Sequence, residues 1–444
     1  MSKTPDTPVR RRRTWIGITV YAVIILAILA GPTPGLFEAV TADYAVDPGE
    51  PLPRRALGHY RYMKRHLEKP FSGYGRWQVL VPQFSVILLS HTACGLTNVA
   101  LADAARKDAA RKGEVAALLD EVVRRALSAA VSPYGRSPED VSDLGDHNLY
   151  LSHLNLILGC RRHIAGDTRY DRIHGRISRH LSAQSLADGD YHARSYPDSP
   201  KFPADQAVTL ASLYVYDRCH GTAYSRELIQ GWLRYMRDEA AHPETGLHRS
   251  SITPSFPHGG IPRGCALSWT CLYLAQFAPE HAAQLYLRYR ALYFRGAMGF
   301  GGFREWPPGY DGKSDVDSGP VVFGIGLAAS GIGVGPARLF GDRRAYAAIL
   351  RTGAAFGMPR PLGAERKYWL SPLLGEAILL HGMTARRWYG PLPQVELREA
   401  ASFPAGPLLV LIVLLVIVGL SLWRVKRLIR RLRPKHVNSE VHIS

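Results

Sequence analysis

The sequence lacks the short motifs that identify several large enzyme classes. It contains no G-x-S-x-G nucleophile elbow, no H-E-x-x-H zinc motif, no P-loop and no glycine fingerprint of a dinucleotide-binding fold. These absences weigh against a serine hydrolase, a zinc protease, a kinase and a nicotinamide-dependent enzyme. Low-complexity linkers and blocks of like charge are also missing between residues 32 and 403. We therefore expect one large folded region to occupy most of the chain.

Cysteine is scarce, and the five cysteines are Cys94, Cys160, Cys219, Cys265 and Cys271. An odd number leaves at least one thiol free if all partners are internal. All five lie in apolar stretches, which favours buried thiols. No pair has the spacing of zinc ligands, so we predict no metal site.

Two long runs carry no charge at all. Residues 15–31 read WIGITVYAVIILAILAG, and residues 404–423 read PAGPLLVLIVLLVIVGLSLW. Each approaches the length of about 20 apolar residues that crosses the core of a bilayer. We therefore expect one transmembrane helix near each end of the chain. A cleaved signal peptide is the alternative for the first run, although Ile28 and Ala30 make a poor cleavage site.

Basic residues flank both runs on their outer sides. Residues 1–14 contribute +4 and residues 424–444 contribute +6 to the formal net charge of +18, which leaves +8 for residues 15–423. Positively charged flanks stay in the cytoplasm and suit anionic lipid headgroups. We expect a two-span protein of the cell membrane with both termini cytoplasmic. Residues 32–403 then form a periplasmic or otherwise extracytoplasmic domain, and nothing indicates nucleic-acid binding.

Between the two runs, strongly apolar stretches alternate with amphipathic ones. The apolar stretches cover 79–106, 146–164, 205–220 and 263–277, and the amphipathic ones cover 114–130, 167–184, 224–240 and 279–295. A buried helix followed by a half-exposed helix is typical of stacked αα-hairpins. Closing such hairpins into a ring predicts an all-α toroid, with a further inner helix at 321–335 and a final hairpin member at 361–383. Loops that open inner helices gather at one rim, where we expect the site.

Four blocks carry a resemblance to a known family. They are GLTNVALAD (95–103), DHNLYLSHLNLILGCRRHIAGDTRYDR (146–172), FPADQAVTLASLYVYDRCHG (202–221) and SWTCLYLAQFAPEHAAQLYLRYR (268–290). In order and spacing, between residues 60 and 355, they resemble the linalool dehydratase-isomerase family. The resemblance implies an (α/α)6 barrel, an exported domain and cofactor-free chemistry on a small apolar terpene alcohol. The family reaction removes water from a tertiary allylic alcohol and also shifts the alcohol between positions.

The resemblance also implies where the chemistry takes place. His153 matches the catalytic histidine in the HLNL block of the family. One of the two site cysteines of the family falls on Ser195 or Tyr196, and the other falls on Asp205. Neither thiol is retained in this chain. A carboxyl group at position 205 preserves proton transfer while changing its strength.

Further positions follow from the same alignment. Cys265 takes the place of a family tyrosine and stands four residues before Trp269. An Asp and a Tyr of the family fall near Glu68 and Tyr74. Phe202 and Pro203 come shortly before Asp205, which begins an apolar stretch. We expect Phe202, Tyr196, Cys265 and Trp269 to contact the substrate.

Dehydration of an alcohol sets clear chemical requirements. An acid protonates the leaving hydroxyl, a base takes a proton from carbon, and the pocket excludes water. His153 and Asp205 are the predicted pair, assisted by Tyr74 or Glu68. The alternatives are a core histidine at position 153 and a helix N-cap at position 205. A carboxyl group in a dry site has a raised pKa and can act as the acid.

Residues 303–320, FREWPPGYDGKSDVDSGP, form the most polar and aromatic segment of the expected domain. Its candidate ligand contacts are Glu305, Trp306, Tyr310, Asp315 and Asp317. The two aspartates are alternatively caps of the helix expected at 321–335, and the other three residues are alternatively packed on the surface of the loop. These alternatives stay open from the sequence.

Three functions from different classes remain. The first is a membrane-anchored lyase or isomerase acting on a terpenoid or another apolar alcohol, with that substrate and the lipid bilayer as partners. The second is a carbohydrate-active enzyme, a glycosidase or an epimerase, because the 303–320 segment supplies carboxylates and aromatic platforms. The third is a non-catalytic binding domain, in which Asp205 and His153 lie far apart or are used as caps. A homo-oligomer is compatible with all three.

Overall fold

The chain folds mainly into α-helices, as its apolar periodicity predicts. The computed structural model describes residues 8–44, 52–104, 109–397 and 401–432. The helices are α1 Pro8–Ala30, α2 Pro32–Thr41, α3 Arg54–Leu67, α4 Arg76–Val79, α5 Phe84–Ala104, α6 Ala109–Ala126, α7 Asn148–Ala165, α8 Asp171–Leu186, α9 Pro203–His220, α10 Tyr224–Asp238, α11 Gly264–Phe277, α12 Pro279–Tyr293, α13 Leu327–Leu339, α14 Arg343–Gly357, α15 Leu373–Thr384 and α16 Ala405–Leu432. A short 3-10 helix covers Pro138–Asp140.

Short strands also occur, so the expectation of an all-α chain is correct only in part. The strands are β1 Phe294–Ala297, β2 Phe300–Phe303, β3 Val321–Val322, β4 Ile325–Gly326, β5 Pro359–Leu362 and β6 Glu365–Tyr368. They form three antiparallel hairpins, β1–β2, β3–β4 and β5–β6. The facing pairs include Phe294 with Phe303, Val321 with Gly326, and Pro359 with Tyr368. The first two hairpins lie between α12 and α13, and the third lies between α14 and α15.

The helix expected at 321–335 starts later than predicted. Val321 and Val322 are in a strand, and helix α13 begins only at Leu327. The β-branched valines favour extended backbone. The turn that follows has positive φ at Phe323 and Gly324, which reverses the chain. The helix expected within 361–383 also starts later than predicted, at Leu373. The hairpin β5–β6, with positive φ at Gly363 in its turn, precedes it.

Six apolar helices contact one another in a closed order. Helix α5 packs against α7, α7 against α9, α9 against α11, α11 against α13, α13 against α15, and α15 back against α5. We call these six the central helices. In α7, every residue from Tyr150 to Arg161 is buried. A helix that is apolar on all sides must be covered on all sides, and these neighbours provide the cover.

A second set of helices packs against the central ones. These outer helices, α3, α6, α8, α10, α12 and α14, contact α15, α5, α7, α9, α11 and α13 respectively. They are amphipathic. In α10, for example, Leu228, Trp232 and Met236 are buried one turn apart, whereas Arg226 and Glu227 are exposed. The alternation of apolar and amphipathic stretches in the sequence therefore corresponds to central and outer helices.

The connections differ greatly in length at the two ends of the helices. Connections into central helices are long and cover 68–83, 127–147, 187–202, 239–263, 294–326 and 358–372. Backbone hydrogen bonds join successive connections to the helix starts, from Leu149 N to Ser195 O over 2.8 Å and from Gly264 N to Glu305 O over 2.7 Å. We call this side the long-loop end. The opposite side, where central helices turn directly into outer ones, is the short-loop end.

Residues 385–397 run across the short-loop end. Trp388 Nε1 donates to Asn98 Oδ1 in α5 over 2.7 Å. The Tyr389 hydroxyl lies 2.9 Å from His163 Nδ1 in α7. The Tyr389 hydroxyl also lies 3.7 Å from Cys219 Sγ in α9. This segment therefore covers the ends of several central helices on that side.

The apolar helices near the two chain ends pack against each other. Helix α1 contacts α16, and the short α2 contacts both α16 and α14. Gly17 in α1 lies against Leu428 near the end of α16. Leu36 in α2 instead clusters with Leu411 near the start of α16. The helices α1 and α16 therefore run antiparallel.

Three described helices are long and apolar enough to cross a membrane. They cover Arg11–Thr41, which joins most of α1 to α2, Phe84–Ala102 and Ala405–Leu432. The middle one is the central helix α5, and 89% of its most apolar window is buried inside the protein. The other two windows are 0% and 28% buried. Apolar helices that could span a bilayer are thus present near both ends of the chain.

A buried polar contact ties the start of the domain to its end. The Glu376 carboxylate in α15 lies 2.6 Å from His59 Nδ1 in α3 and accepts the backbone N–H of Tyr368 over 2.8 Å. Both side chains are fully enclosed. Removing the carboxylate leaves two buried groups without their partner. The free energy of unfolding should therefore be sensitive to this one residue.

We expect Glu376→Ala to lower the free energy of unfolding by about 3 kcal/mol, because the groups it bonds cannot reach water. Chemical denaturation of the detergent-solubilised chain, followed by circular dichroism, measures this. The control is Asp238→Ala, because Asp238 pairs with Arg237 in the open on the surface. Its unfolding midpoint should match the parent. A Glu376→Ala variant as stable as the parent would contradict the structural role of this contact.

Candidate functional site

Polar side chains converge at the long-loop end, around the starts of α9, α11 and α13. Asp205 lies in the first turn of α9, after Phe202 and Pro203. The N-cap of α9 is Phe202, and no side chain caps this helix. Asp205 is thus not the helix cap that the sequence allowed. Its Oδ2 accepts a hydrogen bond from Ser195 Oγ over 2.5 Å.

The environment of Asp205 favours its protonated form. Burial of the carboxyl group raises its pKa to about 6, and the negative charge of Asp317 acts in the same direction. The hydrogen bond from Ser195 opposes this shift because it stabilises the carboxylate. Asp205 therefore has a proton affinity suited to acid–base chemistry near neutral pH.

Glu305 forms the buried centre of the converging connections. It accepts hydrogen bonds from Arg263 Nε over 2.9 Å, from Cys265 N over 3.2 Å and from Cys265 Sγ over 3.0 Å. Burial raises the pKa of Glu305, and the guanidinium of Arg263 opposes the shift. Arg263 also donates to Asp315 over 2.8 Å and lies over the ring of Trp306 at 5.0 Å. Glu305 and Arg263 hold the start of α11 against the 303–320 segment.

Asp315 and Asp317 do not cap helix α13. Asp315 accepts the backbone N–H groups of Asp317 and Ser318 over 3.1 and 2.9 Å, which closes a local turn. Burial tends to raise the pKa of Asp315, but the bonds from Arg263 and Ser318 lower it overall. Partial burial of its carboxyl group and the charge of Asp315 raise the pKa of Asp317, although the residue as a whole stays exposed. The two aspartates therefore differ in proton affinity.

Aromatic side chains border these carboxyl groups. Trp306 is buried and packs on Tyr310, with ring centroids 5.1 Å apart. The Tyr310 hydroxyl bonds His258 Nδ1 over 2.6 Å. Tyr196 is half exposed, and the charges of Asp317 and Asp205 contribute, after burial, to a raised pKa of its phenol. Trp306, Tyr310 and Tyr196 therefore lie in the same region as the carboxyl groups.

Phe202 is the N-cap residue of α9 and so immediately precedes its first turn. Its ring packs edge-on against Phe256 at 5.5 Å. Phe256 belongs to the connection into α11. The two rings therefore link the connections that precede α9 and α11.

A second group of side chains lies deeper, between the central helices. His153 in α7 is fully buried and faces Trp269 and Tyr273 of α11 edge-on, at 5.6 and 6.5 Å between centroids. His91 in α5 approaches Trp269 at 5.2 Å and bonds His381 in α15, with 2.9 Å between their Nδ1 atoms. Four central helices thus bring polar rings to one place. We call these five residues the histidine–aromatic cluster.

Several polar atoms of this cluster have no hydrogen-bond partner within the described part of the chain. They are both ring nitrogens of His153, His91 Nε2, Trp269 Nε1 and the Tyr273 hydroxyl. Burial lowers the pKa of His153 to about 3 and that of His381 to about 3, so both rings are neutral. Buried polar atoms normally have partners. The cluster can therefore bind a neutral hydroxyl group or water.

The carboxyl groups at the long-loop end and the histidine–aromatic cluster are linked through neighbouring residues. The predicted pair, Asp205 and His153, shares no direct hydrogen bond. Thr209 Oγ1 donates to the backbone carbonyl of Asp205 over 3.3 Å and lies 2.6 Å from Ser152 Oγ, next to His153. Trp269 follows Cys265 by one turn of α11. Asp205 bonds Ser195, whereas His153 has no hydrogen bond among the described residues. A direct proton transfer between Asp205 and His153 is thus not prearranged.

Glu68 and Tyr74 have other neighbours. Glu68 ends α3, is exposed and lies 3.8 Å from Lys64. The ring of Tyr74 is 5.0 Å from Phe71. Burial raises the pKa of Tyr74, and the nearby Arg125 in α6 opposes this shift only in part. Both residues are thus placed beside outer helices α3 and α6, and their role in catalysis stays a prediction.

The sequence did not indicate four residues of this site. Arg263 immediately precedes α11, and Tyr273 follows Trp269 by one turn. His91 and His381 interrupt apolar stretches in the same way as His153 does, and this pattern was the available signal. The position of Ser195 was noted only through the family alignment. Among the described residues, no group of three or more His, Cys, Asp or Glu side chains is arranged to hold a metal ion.

A sizeable cavity lies elsewhere, at the short-loop end. Its volume is about 650 Å³, and its walls include Leu101, Phe340 and Trp388. None of the predicted site residues lines it. The carboxyl groups with raised pKa values, which are typical of functional sites, lie instead at the long-loop end.

The sequence matches no protein-family model.

The raised pKa of Asp205 predicts an unusual dependence of stability on pH. Because its pKa rises from 3.8 to about 6 on folding, the folded state binds this proton more tightly. The resulting stabilisation is complete below about pH 4 and is lost as the pH rises through 6. We expect the Tm of Asp205→Asn, taken relative to that of the parent at the same pH, to increase as the pH rises from 4 to 6.

Scanning calorimetry of the detergent-solubilised chain measures this difference. The Ser195→Ala variant serves as a second arm, because removing the donor should move the titration of Asp205 to higher pH. Parallel Tm curves for the parent and Asp205→Asn would show that the pKa of Asp205 is not raised.

Proposed function

We propose that the chain is a membrane-anchored lyase or isomerase that performs acid–base chemistry on a small apolar alcohol. Asp205 is the acid in this proposal. The observation that carries it is a carboxyl group at the start of α9 that bonds the Ser195 hydroxyl and whose burial raises its pKa to about 6. A carboxylic acid of this kind can protonate a leaving hydroxyl group near neutral pH.

The histidine–aromatic cluster suits the other half of such a reaction. Loss of water from a tertiary or allylic alcohol develops positive charge on carbon. The faces of Trp269 and Tyr273 attract a cation, and the buried surroundings keep water away from it. His153 is neutral and has free ring nitrogens. It can therefore accept a proton or bind the hydroxyl group of the substrate.

The closed order of contacts supports an (α/α)6 toroid for the main domain. Six central helices and six outer helices alternate along the chain. This arrangement agrees with the fold implied by the resemblance to the linalool dehydratase-isomerase family. The retained HLNL histidine, His153, supports the same reaction class, whereas both family cysteines are replaced. We therefore propose a related reaction with a carboxylic acid in place of a thiol.

We further propose that α1 and α16 cross the cell membrane, with both termini in the cytoplasm. The basic residues in the first turns of α1 and in the last turns of α16 support this orientation. The antiparallel contact of the two helices also supports it, because Gly17 and Leu428 then lie at the same depth. The main domain would lie outside the cytoplasm. An alkaline-phosphatase fusion within residues 32–60 should be active in this topology, and an inactive fusion would refute it.

A carbohydrate-active enzyme is the second candidate, and one observation favours it. The negative charge of Asp317 helps to raise the pKa of the Asp205 carboxyl group, and Trp306 borders the same region. Sugar hydrolysis uses two carboxyl groups with different proton affinities. A non-catalytic domain is less well supported. Neither Asp205 nor His153 is used as a helix cap.

The activity of the purified full-length chain on a panel of monoterpene and sesquiterpene alcohols tests the proposal. Gas chromatography should detect an alkene or a rearranged alcohol. We expect Asp205→Asn and His153→Phe each to lower kcat/KM at least ~100-fold, because each removes a group used in proton transfer. The control Asp238→Asn, on the surface of α10, should keep full activity. Turnover of glycans and not of any terpenoid would favour the second candidate.

The dependence of the rate on pH provides an independent test. If the protonated Asp205 is the acid, kcat/KM should fall as the pH rises above about 6. The Ser195→Ala variant should shift this fall to higher pH, because the carboxylate loses a hydrogen bond. A profile that rises through pH 6 would instead assign Asp205 the role of a base.

A further inference from the structure

The exposed apolar side chains of the domain are unevenly distributed. Outside α1, α2 and α16, every exposed large apolar side chain among the described residues, with the exception of Leu287, lies at the long-loop end or directly before α16. Six of them are Trp77, Tyr196, Phe256, Phe323, Phe356 and Trp369. We call these six the apolar rim. They come from five different connections and the last turn of α14, so no single loop accounts for the pattern.

The candidate spans join the domain at this same end. Gly406 N, in the first turn of α16, donates to Met298 O over 2.6 Å, and Met298 lies in the β1–β2 turn. Leu36 of α2 packs with Ala355 near the end of α14. The end of α14 and the β1–β2 turn both belong to the long-loop end. The spans therefore meet the domain at the same end as the apolar rim.

We propose that the long-loop end of the domain rests on the lipid bilayer, with the apolar rim inserted into its interface. Trp and Tyr side chains concentrate at membrane interfaces, and the rim contains two tryptophans and one tyrosine. All six rim residues are aromatic and exposed, and they are gathered at one end of the domain. The proposal rests on the membrane location of α1 and α16.

Basic side chains are exposed at this end together with acidic ones such as Asp198 and Asp311. Arg76, Arg295 and Lys313 are exposed at the long-loop end. Arg76 stands beside Trp77, and Lys313 stands in the connection that contains Phe323. Basic side chains near the bilayer surface bind anionic headgroups, each contributing to attachment.

The consequence for the site is a route from the bilayer. Asp205, Asp317 and Trp306 lie at the long-loop end, and the β3–β4 turn with Phe323 belongs to the same connection as Asp317. Under the proposed function, an apolar alcohol dissolved in the membrane reaches the carboxyl groups from the lipid. At the short-loop end, residues 385–397 cover the ends of α5 and α7.

Site-directed spin labelling tests the proposed surface in the full-length chain. The protein carries a nitroxide on Phe323→Cys and is reconstituted into vesicles of phosphatidylcholine and phosphatidylglycerol. Phe323 is 100% exposed, so the label has room. Accessibility to oxygen, which concentrates in lipid, is compared with accessibility to a water-soluble nickel chelate. Spin labelling of the parent chain shows how much signal the five native cysteines contribute. The variant Trp369→Cys repeats the test on another connection.

The matched control is Leu287→Cys, because Leu287 is an exposed leucine in the middle of outer helix α12. We expect the labels at 323 and 369 to favour oxygen and the label at 287 to favour the nickel chelate. Labels at 323 and 369 as accessible to nickel as the label at 287 would overturn the proposal. Protection from both reagents would overturn it in favour of contact with a second copy of the chain.

Extraction of the vesicles with alkaline carbonate separates failure of this surface from failure of the spans. A chain that resists extraction but exposes position 323 to nickel retains its spans and lacks the proposed surface. A chain that is washed off refutes the spans themselves. Neither result depends on finding a substrate, so the activity tests stay independent.

Discussion

The central helices have almost no face that tolerates water, and the arrangement of the remaining chain follows from this constraint. Each central helix must be covered by two central neighbours and at least one outer helix. Charged side chains are consequently confined to the helix ends, where Asp205 and Arg263 are found. Uncharged polar rings, such as His153, are the groups that can remain inside, because burial suppresses their protonation.

Glu305 shows how a site of this kind is assembled from distant segments. The residue is fully buried, so each of its oxygens needs donors, and these come from Arg263 and Cys265 at the start of α11. Arg263 then reaches Asp315 in the same connection as Glu305. The requirement to satisfy one buried carboxyl group thus fixes the position of the loop that carries Asp317. The proton affinity of Asp205 depends in turn on that loop.

The alternation of apolar and amphipathic stretches predicted the six central helices and four of the six outer ones, because burial dictates this pattern directly, whereas the outer helices α3 and α14 were not predicted. The β3–β4 hairpin was missed, since the apolar run from Val321 continues into α13 and only the positive φ at Phe323 and Gly324 separates them. The grouping of Asp205 with Ser195, Glu305 and Asp317 arises from contacts between separate connections. A single sequence contains no periodic signal for such contacts.

The antiparallel pair of α1 and α16 also bears on how the chain folds. The contact between α5 and α15 closes the order of central helices and joins segments that are far apart in sequence. Closing so long a segment is entropically costly and slows folding. Pairing of α1 with α16 holds both ends of the domain together and so shortens the distance that this closure must span. The domain can therefore complete its fold only after α15 and α16 have both been synthesised, when helices from opposite ends of the domain can pair.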